Sequence, residues 1–415
     1  MTYFSIGCVA DDFTGGSDAA SFLKKSGLRT ILSNGIPSSP DKITGFDAVV
    51  IALKSRTQKT SIAVRDSLEA LQWLHNHGAG KLYFKYCSTF DSTPLGNIGP
   101  VADAALEHFS VPYTILAPAL LPNGRSVRDG ILYINGTPLA ESHMRNHPLT
   151  PMWDSRISEL MRRQSSYPCF PVPEPLLMNS AALSAQIAVW QQEFPHFYLI
   201  PDHWKPEHGR QIAEFFGVLP LLTGGSGLLE DLGSLLESSA PETWKTPMHD
   251  PYPRLMLAGS CSGATQEQVR RWLESGGRGI LLDPDAIRRT GLAPFFEVAD
   301  CAQEDLLFYS SGSAGALTGN APSPEDAVLL EQTMAAIAER AYRSGKLHRL
   351  VVAGGETSGA VMQALRLQAF FIGESVASGV PEMFPVDAPS LRMILKSGNF
   401  GGLDFFLSAL EEEAE

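Results

Sequence analysis

Short runs of consecutive apolar residues, each closed by a polar, glycine-bearing turn, recur along the chain. The first is Phe4-Ser5-Ile6-Gly7-Cys8-Val9-Ala10, which runs into Asp11-Asp12-Phe13-Thr14-Gly15-Gly16-Ser17-Asp18. A run without polar alternation fits a strand buried on both faces, as in a parallel sheet. A helix is predicted from about Ser17 to Lys25. Further strands are predicted at Arg29 to Ser33, Ala48 to Leu53, Lys81 to Cys87, Tyr113 to Ala117 and His196 to Ile200. Val64, Leu68, Leu71 and Leu74 lie at helical spacing and predict a helix from Thr60 to about His77, stopped by Gly78 and Gly80. Helices are also expected from Trp153 to Gln164 and from Ala181 to Phe194. Asp129-Gly130 predicts a hairpin between Arg125–Arg128 and Ile131–Ile134. The proline-rich stretch Tyr167 to Pro175 can hold only an edge strand, and Pro220 weakens a strand reading over 218–222.

Residues Ser238 to Pro253 contain four prolines and no periodicity, which places a linker there. Beyond it the same device returns three times. Arg254 to Ala258 leads to Gly259-Ser260-Cys261-Ser262-Gly263. Arg349 to Ala353 leads to Gly354-Gly355-Glu356-Thr357. Ser390 to Lys396 leads to Ser397-Gly398-Asn399-Phe400-Gly401-Gly402. Ser323 as N-cap, Pro324 and Gly345 bound a helix from Pro324 to Ser344. The fold class is therefore α/β, with two α/β domains, 1–237 and 254–415, and a cleft between them.

Composition narrows the function. The 415 residues suffice for two or three domains, and 44% hydrophobic with 19% charged residues is ordinary for a globular protein. No apolar run is long enough for a bilayer, and the opening strand leaves no room for a signal peptide, so the expected location is cytoplasmic. A net charge of −13 argues against a nucleic-acid surface. An anionic ligand must then meet a local cluster of Arg, Lys and backbone N–H groups. The five cysteines are scattered with no Cys-x-x-Cys, which points to neither a disulfide framework nor a zinc site.

Strand ends of a parallel sheet are where ligands bind. Asp11, Asp12 and Thr14 are thereby delivered to a rim, although two such aspartates also fit simple helix capping. Ser88-Thr89-Phe90-Asp91-Ser92-Thr93 is dense in hydroxyls that suit a polyhydroxylated ligand, or a turn that caps the next helix. The proline-pinned loop around Arg145 and His147 could clamp a carboxylate or lie solvated. The three second-half loops match neither the Walker nor the dinucleotide pattern, yet their small residues suit phosphate. Lys396 is a candidate for facing that phosphate. Glu356 could hold Mg²⁺ or merely stabilise a helix start. Asp12, Arg56, Lys85, Asp91 and Arg145 suit a small anionic polyol, and the whole suits a kinase.

Five segments carry a resemblance: Ala10-Asp11-Asp12-Phe13-Thr14-Gly15, Lys54-Ser55-Arg56-Thr57, Phe84 to Thr93, Met144 to Met152, and Ala353 to Gly359. In this order they resemble the four-carbon acid sugar kinase family, most closely its 3-oxo-tetronate kinase branch. The resemblance implies an N-terminal substrate domain and a C-terminal nucleotide domain, with ATP and Mg²⁺ as cofactors. The implied reaction phosphorylates the C4 hydroxyl of 3-oxo-tetronate. It also implies Asp12, with Asp11, Arg56, Lys85, Asp91 and Arg145, on the substrate side; Asp12 is the expected catalytic carboxylate, with its neighbour Asp11 the alternative. Ser260, Gly354, Gly355, Glu356, Thr357, Gly398 and Gly401 are the implied ATP contacts. A homodimer is compatible with it. Gly16 departs from the small residue, such as Ala, expected there, and Pro201-Asp202-His203-Trp204 is bulkier than expected. A D-threonate or D-erythronate kinase is the near rival. A nicotinamide-dependent dehydrogenase and a non-catalytic sugar-acid sensor are the more distant ones.

Overall fold

The computed structural model describes residues 4–90, 92–146, 150–238, 254–310 and 323–411. The chain divides into two compact units, Met1–Glu242 and Thr243–Glu415. Apart from Ser238, the expected linker lies outside the described residues.

Among the described residues the first unit is built on eight parallel strands. They are β1 (Ile6–Ala10), β2 (Thr30–Asn34), β3 (Ala48–Ala52), β4 (Leu82–Lys85), β5 (Tyr113–Ala117), β9 (Cys169–Val172), β10 (Phe197–Pro201) and β11 (Leu221–Gly224). Between β5 and β9 the chain makes a separate small antiparallel sheet of β6 (Arg125–Arg128), β7 (Ile131–Ile134) and β8 (Thr137–Pro138). The parallel order is β2-β3-β1-β4-β11-β5-β10-β9. The chain winds to one side of β1 through β2 and β3, then crosses to the other with β4. The end of β1 therefore sits where the winding reverses, the usual place for a ligand in such sheets. β1 and β3 are buried throughout, as expected of strands covered on both faces.

Several expectations are refined here. The first helix starts at Phe13, not Ser17: Asp12 is its N-cap, and Thr14 to Gly16 form its first turn. Gly16 faces β3 so closely that an added Cβ would lie 2.7 Å from that of Ala52, which accounts for glycine there. The Asp129-Gly130 hairpin forms as expected, with both residues at positive φ. Cys169–Val172 is indeed an edge strand. β11 starts just after Pro220, whose carbonyl accepts from Leu82 N–H at 2.8 Å, so the proline precedes a central strand rather than interrupting it. The helix expected from Trp153 is shorter, Ile157–Arg162.

The second unit has β12 (Leu255–Ala258), β13 (Arg278–Leu281), β14 (Leu306–Tyr309), β15 (Arg349–Ala353), β16 (Ala369–Ala377), β17 (Val380–Pro385) and β18 (Arg392–Lys396). The order β13-β14-β12-β15-β18 is parallel, and β17 and β16 follow antiparallel. The β16–β17 hairpin has no counterpart in the expected elements. Its prolines hide it: Pro381 falls at a register shift and Pro385 at the strand end, the two places a strand tolerates them. Met256, Val269, Leu307, Val351, Ile394 and Phe406 fill the core of this unit.

Candidate active site

The β1 exit brings two carboxylates onto one guanidinium. Asp11, almost wholly buried, receives Arg56 in a fork: Nε at 2.9 Å and Nη2 at 2.8 Å. Nη2 also donates to Asp12 Oδ1 at 2.9 Å. The Asp11 carbonyl accepts from the Ser55 and Arg56 N–H groups, so the backbone fixes the fork before the side chains meet. Buried Asn97 donates to the carbonyls of Ser55 at 2.7 Å and Gln58 at 2.9 Å and holds that segment from the other side. A cavity of about 10 Å³, enough for one water, lies beside Asp11, Arg56, Ser92 and Asn97.

Asp12 is the half of the pair that remains accessible. Its side chain is 23% exposed, against 5% for Asp11. Its Oδ1 accepts the Gly15 N–H at 2.8 Å, and Oδ2 accepts the Thr14 hydroxyl at 2.9 Å. Burial alone would raise this carboxyl. Arg56 and Lys85, helped by those hydrogen bonds, outweigh it and hold Asp12 below the usual carboxylate range. The capping role and the rim position thus coexist in one residue.

Lys85 ends β4 with only 3% exposure. Burial alone would lower its amine, but Asp18, Asp12 and Asp11 together raise it, so it is an ammonium at neutral pH. Asp11, Asp12, Arg56 and Lys85 are therefore one cluster, as the strand ends suggested. Arg145 stands apart, exposed on the short turn His143–Asn146, and Asp91 lies outside the described residues. Sequence reading missed Asp18, Ser226 and Asn97. The available signal for Asp18 was a lone carboxylate among the small and apolar residues of Gly15 to Leu23.

Arg56→Ala should strip Asp11 of its counter-ion. We expect a loss of about 2–4 kcal/mol in denaturant unfolding, at the low end of buried-pair losses because Arg56 is partly exposed. Arg56→Lys should recover only part of it, since an ammonium cannot fork across both carboxylates. An unchanged midpoint for both variants would show that the cluster does not support the fold.

In the second unit the three glycine loops converge. The Gly259 and Ser260 N–H groups both donate to the Ala353 carbonyl at 3.1 Å, and Gly354 N–H donates to the Lys396 carbonyl at 2.9 Å. Gly354 is the N-cap of helix Gly355–Leu365, with φ +129°, a conformation L side chains resist. Ser262 caps helix Gly263–Glu274. Two helix starts thus open beside one another, an arrangement suited to phosphate oxygens. The Gly398 carbonyl accepts from Ser262 Oγ at 2.7 Å, Thr265 Oγ1 at 2.8 Å and Lys396 Nζ at 2.9 Å. Gln268 Nε2 donates to the Gly401 and Gly402 carbonyls. The Lys396 amine is spent on Thr265 Oγ1 and on the Ser397 and Gly398 carbonyls. Lys396 is fully buried, its amine is pushed down to about 7 by burial, and it braces the Gly398 loop from beneath. Glu356 and Gly355 are exposed on the open side, and Thr357 is buried behind them. Among the described residues no three His, Cys, Asp or Glu side chains gather around one metal position.

The arrangement defines a two-part protein: an α/β unit whose strand ends gather Asp11, Asp12, Arg56 and Lys85, and an α/β unit whose three glycine loops meet beside two helix starts. Comparison with known proteins agrees. Residues 6–232 match the model of a sugar-binding N-terminal domain, and residues 255–406 that of a nucleotide-binding C-terminal domain. Proteins named 3-oxo-tetronate kinase are 40% identical in Cupriavidus necator, over 98% of this chain and 96% of that protein, and 39% identical in Pectobacterium atrosepticum, over 99% of each. A solved structure from Salmonella typhimurium LT2 has a TM-score of 0.83 at 36% identity, covering 98% of this chain and 99% of its own. One from Haemophilus influenzae has a TM-score of 0.76 at 34% identity, over 97% and 98%. The chain belongs to the family of 3-oxo-tetronate kinases built from these sugar-binding and nucleotide-binding domains.

Proposed function

We propose that this protein is an ATP-dependent kinase that phosphorylates the C4 hydroxyl of 3-oxo-tetronate, giving 3-oxo-tetronate 4-phosphate and ADP. The observation that carries the reading is the Asp11–Asp12–Arg56–Lys85 cluster at the β1 and β4 exits of a sugar-binding domain, in a chain about 40% identical end to end to kinases of that name. ATP supplies the phosphoryl group, with Mg²⁺ carried on its phosphates as is usual for this ion. The Ser260, Gly354–Thr357 and Gly398–Gly401 loops hold those phosphates, and Glu356 stands on their open side. In the first unit, Arg56 and Lys85 neutralise oxygens of the sugar acid. Arg145, exposed and without an ion pair among the described residues, is assigned to the substrate carboxylate, and Asp91 to the hydroxyl groups of the substrate. Asp12 orients the C4 hydroxyl and accepts its proton as the new phosphate ester forms. Its lowered pKa makes it a weak base. That suffices, because phosphoryl transfer depends mainly on positioning and charge neutralisation.

The test is ADP formation from Mg-ATP with a panel of 3-oxo four-carbon acids, D- and L-threonate and D-erythronate. Turnover confined to the 3-oxo acids is the expected result. Turnover centred on a plain tetronate would keep the kinase and replace its substrate. ATP binding without turnover on any acid would remove the substrate assignment.

A further inference from the structure

Asp18 is a buried carboxylate that the reading above leaves without a task. It lies on the second turn of the helix Phe13–Lys25, with 4% exposure, and its Oδ2 accepts a hydrogen bond from the Ser226 hydroxyl. The same oxygen is 4.0 Å from Lys85 Nζ. Its other oxygen, Oδ1, is buried with no hydrogen-bond partner among the described residues. Lys85 is equally unusual. Its ammonium makes no hydrogen bond among the described residues, and it lies directly beneath the first helical turn: a Cβ at Gly15 would stand 2.5 Å from Nζ.

These contacts close a ring. Ser226 follows β11 in a turn whose Gly225 carbonyl accepts the Tyr83 hydroxyl at 2.7 Å and whose Gly224 carbonyl accepts the Tyr86 N–H at 2.9 Å. Tyr83 lies on β4, two residues before Lys85, and Tyr86 is the next residue after it. The strand that carries Lys85 therefore also anchors the turn that carries Ser226, and Ser226 anchors Asp18, which faces Lys85. A long, flexible side chain is fixed at both ends of one brace.

We infer that Asp18 is a positioning residue for the transfer reaction: with Ser226 it fixes the Lys85 ammonium under the Asp12–Gly15 turn, so that the N–H donors of Lys85 are offered to an anionic oxygen of the bound acceptor. The inference rests on the kinase reading for its reaction, and on the geometry alone for the brace. An ammonium with no acceptor of its own has donors to spend on a ligand, and a fixed one loses little entropy in doing so. The groups that face Asp18 are Lys85 from β4, Ser226 from the β11 turn, Asp12 from the helix start and Arg125 from the start of β6. Burial pushes the Asp18 carboxyl up; Lys85, Ser226 and Arg125 draw it back only as far as about 6. Protonation in that range removes the nearest counter-ion of Lys85, whereas Asp12 stays ionised to much lower pH. Activity should therefore fall as pH drops through about 6.

The experiment uses the full chain with Asp18→Asn and Ser226→Ala, with folding checked by circular dichroism. In Asp18→Asn, kcat with the 3-oxo acid should fall about tenfold or more, with the KM for ATP within about twofold and the acid limb near pH 6 gone. Ser226→Ala, which keeps the carboxylate and should fold regardless, is expected to lose about threefold. A second measurement needs no substrate: acylation of Lys85 by an amine reagent at pH 9, read by peptide mass spectrometry. Loss of the Asp18 charge lowers the amine pKa and should speed acylation about fivefold or more. Wild-type kcat/KM in Asp18→Asn, or an acid limb that the substitution leaves in place, overturns the inference. If the wild type itself turns over no sugar acid, the kinase reading falls and acylation decides the brace. Faster acylation sustains it, and an unchanged rate overturns it.

Discussion

Asp12→Asn is expected to lower kcat by about a hundredfold or more while ATP affinity and thermal stability stay near wild type. The separation follows from the three tasks of this side chain. Asparagine is as good an N-cap as aspartate, so Oδ1 can still accept the Gly15 N–H. Its Nδ2 can donate to the Thr14 hydroxyl, which is able to accept as well as donate. Arg56 keeps its fork on Asp11. Only the negative charge at the exposed rim disappears, and with it the acceptor for the hydroxyl proton. Because Asp12 is held below the usual carboxylate range, wild-type activity should not decline through its protonation anywhere near neutral pH. Steady-state kinetics at saturating ATP, with ATP affinity from calorimetry, reads both halves. An unchanged kcat would take Asp12 out of catalysis and leave it a cap.

The second large effect is expected at Gly354. Its φ of +129° lies where an L side chain is strained, and an added Cβ would lie 3.1 Å from both Ser260 N and Thr357 Oγ1. Gly354→Ala must either carry that strain, about 1–3 kcal/mol, or shift the helix start away from the Ser260 loop. Either way Ser260 and Thr357 must give by a few tenths of an ångström to admit the new Cβ, which disturbs both loops at once. ATP affinity should fall at least about tenfold, seen as a reduced nucleotide-induced rise in Tm. Gly359→Ala is the control: it lies in the same helix, nothing crowds its Cβ position, and its helix should be unharmed or slightly strengthened. Equal nucleotide binding by wild type and Gly354→Ala would show that this turn does not hold the phosphates.

Much of the fold was legible because its strands are short, apolar and closed by glycine turns. Period and punctuation alone locate β1, β3, the Asp129-Gly130 hairpin and the Ser323-capped helix. The antiparallel pair β16–β17 was not legible. Prolines are poor strand residues, and only strand pairing shows that one meets a bulge and the other an end. Pro220 misled in the same direction, since a proline just before a strand costs no ladder hydrogen bond.

The site divides in the same way. Asp11, Asp12, Arg56 and Lys85 were readable because each follows an apolar strand, and parallel strands end on one edge. Their division of labour was not. Asp11 and Asp12 are adjacent, and only the fold sinks one under the Arg56 fork and leaves the other at the rim. Asp18 and Ser226 are 208 residues apart, and no local pattern couples them. Lys396 carries the residue type of a phosphate ligand, yet the fold buries it and turns it to the Gly398 carbonyl. The sequence by itself determined which strands form, which turns close them and which kinds of side chain gather at the ends. Tertiary structure decided burial, and burial decides which of those charges are spent on one another and which remain for a ligand.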